Sequence, residues 1–498
     1  MVPPRTLLRS GAALLLVSAV AVVALMPGPR SRPPMARRTD RRPNIVFVLT
    51  DDLSWDLLRF MPHVRQLQRD GMTFRQFMVS DSLCCSSRAT IFTGEFPHDT
   101  HVLSNTPPYG GYYAFHAAGT QHRSVAISLQ RSGYRTALFG KYLNGYQPFR
   151  EGEDPGWSEW LGSSYAYDGF GYEESDNGQP TIAGYRPRDY VTNALARHAL
   201  RFIRGSAGRG PFFAEIATYA PHAPFTPAPR DRSMFRHLRL PRGGAFDAPS
   251  SAPPAWLGHR PPLRRDQIAH LQRIFRERAR SVLDVDRMIG RLRGALRATG
   301  VARNTYIVFS SDNGFHLGQH RLTDGKRTAF DSDIRVPLIV AGPGVARHRA
   351  TSAMTGTVDL APTFEDWARL HIDRGRDGRS LAPLLGGRRP RHWRRALLIE
   401  HTDDAVRPGD PDAQGWAEGK PDSYTALRTR HMTYVEYANG DREFYDRRHD
   451  PYELHNRAAQ LSPARRARLS AALARYRGCH GASDCFAAGF SAPSRRHT

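Results

Sequence analysis

Lysine is almost missing from this 498-residue chain: of its 71 basic residues only Lys141, Lys326 and Lys420 are lysines, and the rest are arginines. A formal net charge of +24 would ordinarily invite a nucleic-acid partner. With 43 glycines and 37 prolines alongside, the composition reads instead as the coding bias of a GC-rich genome. No basic motif with interleaved aromatics marks a nucleic-acid module, so none is expected as a partner. A basic surface still raises encounter rates with polyanions. Where arginine has replaced lysine nearly everywhere, a surviving lysine marks a place that needs a compact ammonium rather than a planar fork, with coincidence as the bland alternative.

Cysteine is also scarce, with four in all, which excludes a disulfide-built scaffold. Adjacent Cys84 and Cys85 are not expected to bridge each other. Cys479 and Cys485 are spaced for a small disulfide in an oxidising compartment. The chain has no Asn-x-Ser/Thr sequon, no lipobox cysteine and no internal repeat. Residues 1–27 carry Arg5 and Arg9, an apolar run and a Pro-Gly boundary, which predicts a signal peptide or an uncleaved N-terminal anchor. Residues 28–42 form a basic Pro/Arg-rich tether. An exported bacterial protein, secreted or anchored at the cell surface, is expected, touching the membrane only through that anchor.

What the chain has in quantity is strand and helix signal in alternation, which predicts a doubly wound α/β domain over residues 43–387. Pro43-Asn-Ile-Val-Phe-Val-Leu-Thr50 is a continuous apolar run, expected as a buried parallel strand, and it ends at Asp51-Asp52. Further strands are expected to begin at Tyr134, Phe212, Thr305 and Arg335. Val282, Val285, Ile289, Leu292 and Leu296 step by three and four, the stripe of a helix covering a sheet. Residues 228–262 read as an irregular excursion, a lid or an insert. Trp157, Trp160 and the aromatic run 165–172 suit either sugar stacking or loop packing. From residue 388 short strands predict a small antiparallel C-terminal subdomain, 388–498.

Ligands of parallel sheets gather at the carboxyl ends of strands. Asp51, Asp52, Asp312 and Asn313 all fall there, four hard oxygen donors whose chemistry points to calcium or magnesium. A cap or a turn explains each of them alone. The segment Asp81-Ser-Leu-Cys84-Cys85-Ser86-Ser87-Arg88-Ala-Thr-Ile-Phe-Thr-Gly94 places thiols and hydroxyls at a loop-to-helix junction. Ser86 and Ser87 are good N-caps for a helix continuing through Ala89. The helix N-terminus favours an anion, and Arg88 one turn in adds a clamp. The competing account is a buried turn with inert cysteines.

Cys84-Cys85-Ser86-Ser87-Arg88 with trailing Thr93-Gly94 resembles the type I sulfatase motif Cys-x-Pro-Ser-Arg, with Ser86 in place of the proline. Gly140-Lys141-Tyr142-Leu143-Asn144, the adjacent cysteines and Asp312-Asn313-Gly314-Phe-His316-Leu-Gly318-Gln resemble the N-acetylglucosamine-6-sulfatase and heparan endosulfatase branch. Phe96-Pro-His98 with His101, and Tyr445-Asp-x-x-x-Asp450-Pro-x-Glu453-x-x-Asn456, extend the likeness over most of the chain. The resemblance implies an alkaline-phosphatase-like mixed sheet with helices on both faces. It implies a sulfuric ester hydrolase acting on a sulfated sugar or glycan of the N-acetylglucosamine-6-sulfate type. Cys84 would be oxidised to formylglycine by a separate generating enzyme, over calcium held by Asp51, Asp52, Asp312, Asn313 and the residue at Cys84. The hydrate would take the sulfuryl group as a covalent ester and then expel sulfate. Arg88, Lys141 and Lys326 would neutralise charge on the nucleophile and sulfuryl oxygens. His222 would contact substrate near the leaving oxygen, with Lys326 a second proton donor. His101 and His316 are candidates for substrate contact and for the base. The rival readings are a phosphodiesterase or phosphonate monoester hydrolase of the same superfamily, and an exported polyanion-binding protein with Cys84 unconverted.

Overall fold

In the computed structural model the described residues are 42–388, 390–403 and 410–492. The leader and nearly all of the tether fall outside them. No helix among the described residues is long and apolar enough to cross a membrane. The described residues form one compact unit.

The organising strand is β1 (Asn44–Thr50), buried along its whole length. Ile45, Phe47 and Leu49 join one apolar cluster and Val46 and Val48 another. This alternation puts a core on each face of the sheet, which is why Ile45 to Leu49 are all apolar. In chain order the other sheet strands are β2 (Met72–Phe74), β3 (Arg135–Lys141), β4 (Glu159–Ser164), β5 (Glu173–Asp176), β6 (Gln179–Ile182), β7 (Phe212–Ala217), β8 (Thr305–Ser311), β9 (Leu338–Ala341) and β10 (Arg349–Thr351). Their spatial order is β10-β2-β9-β8-β1-β7-β3-β4-β5-β6. The five central strands, β8 to β4, run parallel. β9 is antiparallel to both its neighbours, and β5 and β6 close the other side antiparallel. The sheet is therefore mixed.

Among the helices used below, α1 is Pro62–Asp70, α2 is Cys84–Thr93, α3 is Val125–Arg131, α4 is Val191–Ser206, α5 is Arg265–Ala298 and α6 is Leu360–Trp367. The predicted stripe of α5 is buried at every position, with Val282 through Leu296 at most 1% exposed. It packs in the cluster of Val46 and Val48, while α6 meets the opposite face through Phe364 against Phe47. Beyond residue 388, β11 (Ala396–His401), β12 (Tyr424–Thr429), β13 (Met432–Tyr437) and β14 (Arg442–Asp446) form an antiparallel sheet, followed by α7 (Pro463–Arg477) and α8 (Gly481–Phe490). Cys479 and Cys485 are joined in a disulfide. Trp157 and Trp160 are buried, as is Tyr172, so these rings pack the protein rather than face a sugar. Tyr165 remains 57% exposed.

One buried acid breaks the apolar pattern. Glu215 on β7 is 1% exposed, and its Oε1 has no hydrogen-bond partner. Burial pushes its carboxyl up to about 8, with Arg88 pulling the other way. A carboxyl raised on folding binds its proton more tightly in the native state, so stability falls as pH rises through the raised value. Each unit is worth about 1.4 kcal/mol. Melting curves between pH 5 and pH 8 should therefore show wild type losing more stability than Glu215→Gln. Equal slopes would remove Glu215 from the account.

Candidate functional site

Four neighbouring parallel strands deliver their terminal residues to one place. β1 is followed by Asp51 and Asp52, the latter in a left-handed turn at φ 62°. β8 is followed by Asp312 and Asn313, β3 ends in Lys141, and β7 leads to His222, which sits between two cis X-Pro bonds. All seven residues, counting Lys326 just beyond the short hairpin pair His316–Leu317 and Asp324–Gly325, are at most 3% exposed. The structure thus brings together Asp51, Asp52, Lys141, His222, Asp312, Asn313 and Lys326.

Helix α2 points its first residue at them. Extended Leu83 is the N-cap, so the helix begins at Cys84, and Ser86 and Ser87 lie inside its first turn rather than capping it. The cap is supplied from elsewhere: Asn105 Oδ1 accepts from Cys85 N at 2.9 Å. Ser87 Oγ donates to Asp312 O at 2.5 Å, fixing the helix to the end of β8. At its other end Gly94 adopts φ 71°, and a Cβ there would stand 2.9 Å from Pro362.

Cys84 Sγ is 3.0 Å from Lys326 Nζ, 3.3 Å from Asp51 Oδ1 and 3.5 Å from Asn313 Oδ1. Burial first, then Asp412 and Asp51, push this thiol well above its usual range. As a cysteine it is a protonated, poor nucleophile. Cys85 accepts a hydrogen bond from Asn144 N at 3.1 Å, and burial pushes it up to about 12, which makes it inert.

The cations are divided between the carboxylates. Lys141 Nζ donates to Asp51 Oδ2 at 2.6 Å. Lys326 Nζ donates to Asp52 Oδ1 at 2.8 Å. Arg88 is held by the strand ends: Nε donates to Asp312 Oδ2 at 2.8 Å and Nη1 to Lys141 O at 2.9 Å. It ties α2 to the ends of β8 and β3 instead of forming the forward clamp expected from its spacing. His222 Nδ1 faces Ala223 O at 2.8 Å, which directs Nε2 into the site, 3.7 Å from Asp52. Burial alone would lower this imidazole; Asp52, Asp51 and Asp412 raise it.

Asp51, Asp52, Cys84 and His222 each offer a ligand atom within 4.8 Å of the others. Asn313 Nδ2 donates to Asp52 Oδ1 at 2.6 Å and to Gly314 O at 2.9 Å, so its oxygen is the atom aimed at Cys84. Burial and the nearby Asp51 push Asp312 up to about 6 despite Arg88 and Lys141. Asp51, Asp52, Asp312 and the Asn313 amide nonetheless converge as hard oxygen donors, the set a divalent cation takes. The residues present fit such an ion.

His101 is exposed, at the end of a short helix over Pro97–Thr100 and outside the buried cluster. His316 is buried with both ring nitrogens engaged, Nδ1 at 2.9 Å from Asp333 and Nε2 at 2.7 Å from Glu418 O. The sequence reading missed Asp412. Its carboxylate lies 2.5 Å from Lys326 Nζ, 2.8 Å from His222 Nε2 and 3.6 Å from Cys84 Sγ. Nothing local announces it, since Asp410-Pro-Asp412 belongs to a loop without periodicity. Asn105 and Tyr167, whose ring lies 4.5 Å from that of His222, were also unassigned.

Known proteins are similar to this chain in sequence and in fold. The family described as Sulfatase matches residues 43–370, and the one described as N-sulphoglucosamine sulphohydrolase, C-terminal, matches 318–475. A goat (Capra hircus) protein named N-acetylglucosamine-6-sulfatase is 32% identical over 479 residues, covering 90% of this chain and 85% of its own. A solved protein in complex with its substrate D-glucosamine-2-N,6-O-disulfate superposes with a TM-score of 0.72 at 23% identity, over 86% of this chain and 96% of that one. The phosphonate monoester hydrolase from Silicibacter pomeroyi gives 0.65 at 25% identity, over 87% and 93%. The mixed sheet with its small antiparallel companion is the alkaline-phosphatase-like architecture. On sequence over nearly its whole length, this chain belongs to the sulfatase family.

Proposed function

We propose that the protein hydrolyses the sulfate ester of a sulfated sugar or glycan, of the N-acetylglucosamine-6-sulfate type. One observation carries this reading: the cysteine in the position of the family's catalytic residue opens a helix at 3.0–3.5 Å from Lys326, Asp51 and Asn313. The most similar relatives described above carry the sugar assignment. We assign the ion to calcium or magnesium, held by Asp51, Asp52, Asp312 and Asn313 beside residue 84, because the donors are hard oxygens. When present, formylglycine at residue 84 and the ion supply a nucleophilic hydroxyl and Lewis acidity.

The chain's own residues do the rest. Lys326 keeps its proton: burial would lower it, but Asp412 and Asp52 raise it well above the usual range. Lys141 is raised in the same way by Asp51. Two ammonium groups therefore face the charge on the sulfuryl oxygens. His222, oriented through Nδ1, gives its Nε2 proton to the leaving alcohol oxygen. It then has a free Nε2, the base for the release step, a role that exposed His101 and doubly bonded His316 are not placed to fill.

Ser86 bears on maturation. It is the third residue of α2, where the backbone N–H has no intrahelical partner, so the family's proline costs no hydrogen bond there. Ser86 Oγ is buried without a partner. Ser86→Pro should therefore fold normally and raise the fraction of Cys84 converted by the generating enzyme. Mass spectrometry of the Cys84 peptide from both proteins measures this, and a lower fraction in the variant would reverse the expectation.

The function is tested by following sulfate release from N-acetylglucosamine-6-sulfate, with nitrophenyl sulfate and a nitrophenyl phosphodiester in parallel. Release is expected from the sulfates, lost with chelator and restored by calcium. The likeness to a phosphonate monoester hydrolase favours a second reading, and faster phosphodiester cleavage would select it. Native protein whose Cys84 stays an unmodified thiol and which binds sulfated glycan without releasing sulfate would be a polyanion-binding protein. We place it outside the cytoplasm on the strength of its leader.

A further inference from the structure

Asp412 occupies the place a sulfuryl group needs. Its Oδ1 takes the hydrogens of Lys326 Nζ at 2.5 Å and His222 Nε2 at 2.8 Å. Its Oδ2 accepts from the side-chain amide of Asn105 and from that of Asn144 at 3.5 Å, and faces Cys84 Sγ at 3.6 Å. Two cations and two amides converging beside the nucleophile are the donor set that would hold the oxygens of a sulfate ester. Here a carboxylate of the chain itself has them. The residue is 4% exposed, and two anions sharing these donors would repel each other in a buried site. Substrate sulfate and the Asp412 carboxylate therefore exclude one another.

The backbone behind Asp412 is fixed. Its carbonyl accepts from Arg327 Nη2 at 2.8 Å, and the Gln414 amide brackets the backbone of Lys326 at 2.9 and 3.1 Å. Thr323 N donates to Ala417 O at 2.9 Å, and His316 Nε2 meets Glu418 O. What yields to an entering sulfate is thus the side chain, which remains tethered beside the seat and returns when the seat empties. A tethered group competes at high effective concentration. Free sulfate offers the same kind of oxygens and nothing more. A sulfated sugar brings the contacts of its ring as well, so it displaces the tethered competitor at lower concentration than free sulfate does.

We propose that Asp412 is a built-in competitor for the sulfuryl seat, which weakens the hold on inorganic sulfate and expels the product. This rests on the hydrolase reading above. The experiment compares wild type, Asp412→Ala and Asp412→Asn, all calcium-loaded, by titration calorimetry with inorganic sulfate and by steady-state kinetics on N-acetylglucosamine-6-sulfate. Both variants should bind inorganic sulfate about tenfold tighter or more. KM and the sulfate inhibition constant should both fall, and kcat should drop as release becomes slow. Unchanged or weaker sulfate binding in the variants overturns the proposal and makes Asp412 a plain substrate contact. Should the variants fail to fold, a crystal of wild type with sulfate decides: the Asp412 carboxylate is expected off Lys326, and sulfate bound with that contact intact overturns the proposal. Wild type that releases sulfate from no sugar defeats the hydrolase reading alone, because the calorimetric comparison still stands.

Discussion

Cys84→Ser should reduce sulfate release by at least about 10⁴-fold, the scale on which loss of a nucleophile is felt, while leaving the fold intact. The substitution exchanges sulfur for oxygen in a fully buried position whose neighbours are all polar. Packing hardly changes and Lys326 keeps an acceptor. What disappears is the thiol from which formylglycine is made. A serine hydroxyl is single, so a sulfuryl group once transferred to it has no second hydroxyl to expel it, and water must do so instead. The expected result is one turnover and then arrest, seen as a residue 84 peptide heavier by one sulfuryl group. Wild-type protein purified without conversion should be equally inactive, because its thiol is held protonated by burial, Asp412 and Asp51. A serine variant that keeps a tenth of the wild-type rate would remove residue 84 from the chemistry.

Arg88→Ala should be the most damaging change to stability, on the order of 3–5 kcal/mol, which is the cost of breaking a buried ion pair from one side. Arg88 and Asp312 are both fully buried and meet at 2.8 Å. The guanidinium also holds the carbonyl of Lys141, so one side chain joins α2, β8 and β3. Without it Asp312 keeps its burial and its repulsion from Asp51 and loses its nearest cation. Its carboxyl, already pushed up to about 6, moves higher. A raised acid loses stability as pH climbs through the raised value, so the deficit of the variant should grow from pH 5 towards pH 8. Urea denaturation at several pH values measures this. Arg88→Lys restores charge without the planar fork and should recover only part of the loss. If alanine at this position costs less than about 1 kcal/mol, in the range of exposed pairs, the bond to Asp312 does not hold the helix.

Much of the site was legible before any tertiary contact was known. A short, β-branched apolar run without alternation reads as a strand buried on both faces, and polar residues at its carboxyl end then face the ligand side of a parallel sheet. This logic placed Asp51, Asp52, Asp312 and Asn313 together, the family resemblance added Lys141 and His222, and the three-four stepping of Val282 to Leu296 gave a helix that covers the sheet. Lysine scarcity pointed the same way: two of the three lysines lie in the cluster. Local signals misled where a partner lay far away. Ser86 and Ser87 have the chemistry of caps, but the helix starts at Cys84 because Asn105 supplies the acceptor. Arg88 has the spacing of an anion clamp, but Asp312 turns it sideways. His316 follows a strand end, yet Asp333 and Glu418 consume both nitrogens.

Sequence alone determined the layered sheet, the strand-end cluster and the cysteine segment beside it, because each depends on periodicity or on a motif within a few residues. Tertiary structure alone decided which donors are free and which are occupied. Asp412 shows the reason. It reaches Cys84 from 328 positions along the chain, out of a loop whose composition carries no pattern, and only the docking of that loop on the Lys326 hairpin puts its charge at the centre.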